Sequence, residues 1–237
     1  MRNPWLDLPT DKPPYCLPED LPIISEFNKQ VEEKHLIRID GLPEAYIGST
    51  RDPRVVLLNL NPGWSPEDHK HFVLPDFRNA VLENLHNTLE EYPFYHLNPK
   101  FHFTGGAKWW SQKLRYLINE VGRETVANHV IVLEYFPYPS LRYKAVSNRI
   151  KKKFGIQLLQ GQKYTIYLLK KFLNLKNTIF VGMRSIKKWM EIVPELEGKI
   201  ITVKNFQNPV ISPRNLPNDF SRLIEVLKLQ EGHIEPI

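Results

Sequence analysis

The chain has 237 residues, of which 42% are hydrophobic and 24% are charged, values typical of globular proteins. This composition excludes a disordered or fibrous chain and predicts one or two compact domains. Lysine and arginine number 32 and aspartate and glutamate 26, and the formal charge of +6 favours a polyanionic partner such as nucleic acid. A single cysteine, Cys16, excludes an internal disulfide, a four-cysteine zinc site and a cysteine-ligated iron–sulfur cluster. We therefore expect a protein that needs no metal and no cofactor.

The amino-terminal part of the chain is rich in proline. Six prolines within residues 1–22 favour extended and turn conformations, and a helix is predicted over residues 24–35. We expect residues 1–42 to form an arm and helix packed on a catalytic domain of residues 43–237. The first residues lack the apolar stretch of a signal peptide, and no apolar run reaches the roughly 18 residues of a membrane span. A cytoplasmic monomer without a membrane partner is expected.

Short apolar runs alternate with helix-like segments along the rest of the chain. Strands are predicted over residues 54–60, 130–133, 178–181 and 199–203, and helices over residues 108–120, 161–173, 186–193 and 219–229. This alternation predicts an α/β fold, a three-layer α/β/α sandwich with a central, mostly parallel sheet. Ligands of such folds bind outside the carboxyl ends of the strands, so we expect the loops that follow the strands to converge on one site.

The loops after the strands resemble motifs of the uracil-DNA glycosylase superfamily. Residues 59–63 (NLNPG) are similar to its first motif, in the Asn-Pro-Gly version of the mismatch-specific and single-strand-selective branches. Residues 133–137 (LEYFP), 179–185 (IFVGMRS) and 208–214 (NPVISPR) resemble its base-recognising segment, its phosphate-binding loop and its second catalytic motif. The resemblance covers roughly residues 43–230, with the motifs in the family's order. It implies a uracil-DNA glycosylase-like fold and a monofunctional DNA glycosylase that flips a base and hydrolyses its N-glycosidic bond.

Two asparagines occupy the catalytic positions that the resemblance implies. Asn61 matches the residue that holds the attacking water, and Asn208 matches the residue that donates a hydrogen bond to the departing base. Either asparagine can instead be an ordinary turn residue before proline. The sequence also departs from the family pattern, because Asn59 replaces the first glycine and residues 210–211 separate Asn208-Pro209 from Ser212-Pro213. That spacer leaves open which half of the second loop fulfils the catalytic role.

Four residues are expected to contact the flipped base. Gly63 stands where strict uracil enzymes carry a tyrosine that blocks substituents at the base C5, so the resemblance implies an open pocket there. Glu134 stands where uracil-specific members carry an asparagine, and a carboxylate accepts a hydrogen bond from the N4 amino group of cytosine. Trp64 and Tyr135 adjoin these motifs and are expected to stack on the base. An alternative interpretation makes Glu134 a surface acid paired with Arg142 or Lys144, and another substitutes Tyr135 for Glu134 as the recognising residue.

The DNA backbone is expected to bind to residues of the last two loops. Arg184, Ser185 and Lys187 lie at the predicted start of a helix whose amides can hold a phosphate, and Arg214 is expected to bind the backbone or enter the duplex.

The substrate suggested by Gly63 and Glu134 is a C5-modified cytosine. One member of the superfamily excises glucosylated hydroxymethylcytosine from viral DNA in antiphage defence, which is the role that the resemblance implies here. Three alternatives remain: repair of uracil or mismatched thymine, a non-catalytic protein that binds a modified base or an abasic site, and a nucleoside or free-base hydrolase, which would not need the basic loops.

Overall fold

The computed structural model describes residues 1–229 and, within them, every side chain except those of Asp68 and His69. Its central feature is a five-stranded sheet in the order β1-β3-β2-β4-β5. The strands are β1 (Tyr46–Ile47), β2 (Val55–Asn59), β3 (Val130–Glu134), β4 (Ile179–Gly182) and β5 (Ile200–Thr202). Pairing is parallel from β3 through β2 and β4 to β5, and only β1 pairs antiparallel, with β3. The predicted α/β class with a mostly parallel sheet is therefore confirmed.

Helices connect the strands. They are α1 (Leu21–Asn28), α2 (Asp68–Phe72), α3 (Pro75–His86), α4 (Gly105–Val121), α5 (Arg123–His129), α6 (Asn148–Lys153), α7 (Gln160–Phe172), α8 (Ile186–Ile192) and α9 (Phe220–Leu227). Every residue of β2 and β3 is buried, and successive strand residues point to opposite faces, so both faces of the sheet are covered. No helix within residues 1–229 combines the length and the apolar character that crossing a membrane requires.

The helix predicted over residues 24–35 is shorter in the structure. It ends at Asn28, and a separate 3-10 turn covers Glu33–His35. The side chain of Asn28 explains the break, because its Nδ2 donates to the carbonyl of Ile37 and its Oδ1 accepts from the Ile37 amide, both at 2.9 Å. These two bonds turn the chain back on itself. Helices α2, α3, α5 and α6 and strand β1 are not predicted from the sequence.

The amino-terminal arm shares the core of the sheet. Trp5 and Leu17 are fully buried, and the buried carboxylate of Asp20 accepts hydrogen bonds from the Tyr138 hydroxyl at 2.9 Å and from two amides at the start of α7, those of Gln160 and Gly161. The arm is thus tied to the loop after β3 and to α7. Residues 230–237 of the predicted catalytic segment lie outside the described residues.

The strand order places the site. The chain passes from β2 to β3 on one side and then to β4 on the other, so the direction of the connections reverses beside β2. At such a reversal the loops after neighbouring strands separate and leave a crevice. The loops that follow β2, β3 and β4 meet at this crevice.

Candidate base-binding cavity

A cavity of about 650 Å³ opens at the carboxyl ends of β2, β3 and β4. Its volume falls within the range of about 300–1,000 Å³ that small-molecule sites occupy. Asn59, Asn61, Gly63, Trp64 and Glu134 all line it. The structure therefore brings most of the residues predicted around the first motif to a single place.

The floor of the cavity is a pair of buried polar side chains. Asn59 and Glu134 end β2 and β3 and are partners in the parallel register. The amide Nδ2 of Asn59 donates to Oε1 of Glu134 at 2.9 Å, and the two residues are 4% and 2% exposed. Asn59 Oδ1 and Glu134 Oε2 are buried and have no hydrogen-bond partner among the described residues. Buried polar atoms without partners are costly, so this floor is suited to a polar ligand.

Glu134 has an unusual proton affinity. Burial raises its pKa to about 8; the negative charge of Glu44 acts in the same direction, whereas the hydrogen bond from Asn59 and the positive charge of Arg184 lower it. Glu134 is therefore mainly a neutral carboxylic acid at pH 7, rather than the carboxylate expected from the sequence. The alternative of a surface ion pair with Arg142 or Lys144 is wrong, because Glu134 is buried and hydrogen-bonded to Asn59.

Asn61 is held by its own amide group. Its Nδ2 donates to the carbonyl oxygen of Pro62 at 2.8 Å and to Oγ of Ser140 at 3.0 Å. Both N–H donors of the side chain are thereby used, which leaves Oδ1 as the atom able to accept from a water molecule. The bond to Pro62 is that of a turn residue, while the bond to Ser140 joins the loops after β2 and β3. The turn and the water-binding interpretations are therefore compatible.

The mouth of the cavity is open at Gly63. A Cβ atom placed on Gly63 would meet no atom within 4 Å, and Gly63 is not among the glycines with positive φ. A side chain is therefore allowed here both by space and by backbone conformation. Beside it, the Trp64 ring lies 4.0 Å from the guanidinium carbon of Arg38, which stacks on it.

Tyr135 does not line the cavity, unlike its neighbour Glu134. Its ring packs edge-on against Trp189, with 5.5 Å between the centroids, and its carbonyl oxygen accepts a hydrogen bond from Gln162. Successive residues at a strand end point to opposite sides, so only one of the pair can face the cavity. The structure assigns that position to Glu134.

Basic residues lie around the cavity, in contrast to its mainly uncharged floor. Arg38 stacks on Trp64, Arg142 and Arg184 line the cavity, and the Arg184 guanidinium carbon lies 6.0 Å from the centre of the Trp109 ring. Cations placed around the entrance attract a polyanionic chain, whereas the buried floor has no cation to balance the charge of a phosphate. The charge distribution favours a ligand with its phosphates outside and its neutral part inside.

Of the other residues predicted to bind the backbone, Ser185 adopts a left-handed conformation with φ of 54°, and its side chain does not cap α8. Lys187 is exposed on that helix, which has only seven residues. Arg184 is thus the residue of this group that lies at the cavity.

The second predicted catalytic loop lies apart from the cavity. Asn208 and Arg214 are exposed, and neither lines it. The Asn208 Oδ1 accepts a hydrogen bond from Nζ of Lys113 at 2.6 Å, and this ammonium lies 5.1 Å from the Trp109 ring centre. Burial and the charges of Arg184 and Arg115 lower the pKa of Lys113. In this structure Asn208 is therefore bound to helix α4 and does not reach the floor.

Glu44 and His96 are among the polar residues that line the cavity without being predicted from the sequence as site residues. Glu44 precedes a strand of only two residues, and His96 lies in a short 3-10 turn, so neither position carries a recognisable pattern.

Comparison of the chain with protein-family models, with curated proteins and with solved structures finds no match.

Proposed function

We propose that this protein is a monofunctional DNA glycosylase that excises a C5-modified cytosine. The observation that carries the proposal is the cavity itself, in which the buried Asn59–Glu134 pair forms the floor, Asn61 lines the wall and arginines surround the entrance. The similarity of residues 59–63 and 133–137 to uracil-DNA glycosylase motifs supports the same conclusion. Asn59, which departs from the motif, is the hydrogen-bond partner of Glu134, so the two unusual residues act together.

The proposed reaction uses residues of the first loop. A base flipped out of DNA enters the cavity, where Trp64 lies at the mouth and Glu134 meets the base edge. A water that donates a hydrogen bond to Oδ1 of Asn61 attacks C1′ of the sugar while the C1′–N1 bond breaks. The base departs with the electron pair of that bond, and the proton that the water loses ends on the released base. An amide positions water but is a poor proton acceptor, so we expect slow chemistry. The product is an abasic site.

Cavity size and the open mouth favour a modified base over a bare pyrimidine. The volume of about 650 Å³ leaves room beyond a single pyrimidine ring, and no side chain closes the mouth at Gly63. Glucosylated hydroxymethylcytosine is a base of this kind, and its removal from viral DNA would be a defence against phage.

The raised pKa of Glu134 favours a second candidate, excision of uracil or mismatched thymine. A neutral carboxyl group has an O–H donor, which can face the O4 carbonyl of uracil, as well as an acceptor for the N4 amino group of cytosine. Protonated Glu134 can therefore bind either uracil or cytosine, and the space at Gly63 determines which base is accepted.

The test is excision from matched duplexes that contain uracil, thymine opposite guanine, hydroxymethylcytosine or glucosyl-hydroxymethylcytosine, followed by alkali to cut abasic sites. Cutting of the modified-cytosine duplexes alone is the expected result. Cutting of uracil or thymine duplexes instead would support the repair alternative. Tight binding without cutting of any duplex would contradict the glycosylase and leave a binding protein.

Gly63→Tyr tests the contribution of the open mouth. The tyrosine has room at this position, and its ring is expected to obstruct a C5 substituent, so excision of glucosyl-hydroxymethylcytosine should fall by more than tenfold, a loss of about 1.4 kcal/mol or more. Gly63→Ala is the matched control and should lower the rate far less. Equal rates for the alanine and tyrosine variants would show that substituents do not pass this position.

A further inference from the structure

A second polar cluster lies in the same cavity, apart from the Asn59–Glu134 pair. It consists of Glu44, Tyr95 and His96, and Glu44 and His96 line the cavity. Oε1 of Glu44 accepts hydrogen bonds from the Tyr95 hydroxyl at 2.5 Å and from Nε2 of His96 at 3.0 Å. Both bonds go to one oxygen, so Oε2 keeps its capacity to accept from a ligand.

His96 has an unsatisfied ring nitrogen. The residue is 4% exposed, its Nε2 bonds Glu44, and its buried Nδ1 has no hydrogen-bond partner among the described residues. The ring lies against the first turn of α4, where a Cβ on Gly106 would come within 2.2 Å of the imidazole Cε1. Only glycine therefore admits the ring in this place, and the ring that lines the cavity has a buried Nδ1 without a partner among the described residues. A polar ligand atom would satisfy it.

The cluster is adjacent to the floor but distinct from it. The amide of Glu134 donates to the carbonyl of Ala45, so the chain beside Glu44 pairs with the end of β3. The negative charge of Glu44 raises the pKa of Glu134. Burial opposes ionisation of Glu44 itself, but the charge and hydrogen bond of His96 and the hydrogen bond of Tyr95 outweigh it, and the pKa of Glu44 is lowered. The cavity thus holds an ionised carboxylate, that of Glu44, beside the mainly neutral carboxyl group of Glu134.

We infer that Glu44 and His96 form a second subsite that binds hydroxyl groups on the substituent of the excised base. This inference rests on the proposed function. Hydroxyl groups can donate to the Glu44 carboxylate and, because Nε2 of His96 carries the proton donated to Glu44, to the acceptor Nδ1 of His96. A methyl group can do neither, and an anionic substituent is repelled by the ionised Glu44 carboxylate. The substrate class is a cytosine with a hydroxylated C5 substituent, a hydroxymethyl or a sugar.

Glu44→Gln tests the subsite, because it keeps the size of the side chain and removes its charge. The readout is the ratio of single-turnover excision rates for glucosyl-hydroxymethylcytosine and 5-methylcytosine in one duplex sequence. We expect Glu44→Gln and His96→Phe each to lower this ratio by about tenfold or more, the loss that follows removal of a hydrogen bond to a charged or buried group. Glu124→Gln, an exposed position on α5, is the control. Equal losses on both substrates would overturn the inference.

A binding measurement separates failure of the subsite from failure of the proposed function. Calorimetry with free 5-hydroxymethylcytosine and free 5-methylcytosine requires no excision. Tighter binding of the hydroxylated base by the wild type, lost in Glu44→Gln, would support the subsite even if no duplex is cut. Equal affinity of the wild type for both bases would overturn it even if a glycosylase is demonstrated. Thermal unfolding of each variant identifies any loss that comes from misfolding.

Discussion

The two loops that resemble catalytic motifs are held in different ways. Residues 59–63 follow β2, which lies at the centre of the sheet and is buried throughout, and Asn61 is tied to the loop after β3 through Ser140. Residues 205–215 follow β5, an edge strand of three residues that is only partly buried, and Asn208 is exposed. Side chains at the end of a central strand are held in place by the packing of the core, whereas those after a short edge strand are not.

This difference between the loops after β2 and β5 indicates where a pre-formed site can lie in this fold. The floor needs two neighbouring strands in register, a condition that Asn59 and Glu134 meet. The second loop is held by hydrogen bonds to helix α4, from Lys113 to Asn208 and from the Ile211 amide to the Lys113 carbonyl, and by burial of the Ile211 side chain. It can contribute to catalysis only if DNA changes its position.

The largest expected effect is that of Asn61→Ala. Loss of the group that holds the water should lower single-turnover excision by about 100-fold or more, as removal of a positioned catalytic amide does elsewhere. Asn208→Ala should lower it by less than about tenfold, because its side chain does not line the cavity. The rates of both variants are measured on the substrate duplex that the wild type cuts.

The control for Asn61→Ala and Asn208→Ala is Asn174→Ala, at an exposed asparagine just beyond the end of α7. Comparable losses of excision rate for Asn61→Ala and Asn208→Ala would contradict the expected difference between the two loops. They would mean that the second loop closes over the base when DNA binds.

The core strands and the ends of β2 and β3 could be predicted from the sequence. A run of apolar residues interrupted by Asn-Pro-Gly specifies a buried strand and a sharp turn, and topology alone then carries Asn61 and Glu134 to one edge. Alternation along β3 also contains the information that Glu134 and Tyr135 face opposite sides. The two residues therefore cannot both contact the base.

The rest of the site depends on contacts between distant segments. The hydrogen bond between Lys113 and Asn208 joins residues 95 positions apart in the chain. Glu44 meets His96 across 52 positions, and neither lies in an element with a sequence periodicity. The raised pKa of Glu134 follows from burial and from Glu44, so a sequence that shows a carboxyl group does not show its charge.

Glu134→Gln tests the burial of the cavity floor through its effect on the pH dependence of stability. The pKa of Glu134 rises from its usual 4.5 to about 8 on folding, so its contribution to stability is complete below pH 4.5 and is lost as the pH rises towards about 8. Replacement by glutamine removes this loss. The unfolding free energy of the variant should therefore exceed that of the wild type by an amount that grows by up to about 1.4 kcal/mol per pH unit across this window.

Urea unfolding at several pH values measures this difference. Glu225→Gln, an exposed position on α9, is the matched control and should show no such growth. A constant difference between Glu134→Gln and the wild type would mean that Glu134 ionises normally and that the floor is wetter than its burial implies.

The smallest expected effect is on the salt dependence of DNA binding, and it is tested with one arginine at the cavity and one on the second loop. Arg184 lines the cavity, whereas Arg214 lies on the second loop away from it. In an Asn61→Ala background, chosen because excision should be slow in it, Arg184→Ala should reduce the slope of log affinity against log salt by about 1, the value for one phosphate contact. Arg214→Ala should change the slope less. The affinities are measured by fluorescence anisotropy between about 50 and 200 mM salt, where phosphate contacts dominate the change. A larger change for Arg214 would show that DNA passes over the second loop, and would move the backbone-binding surface from β4 to the loop after β5.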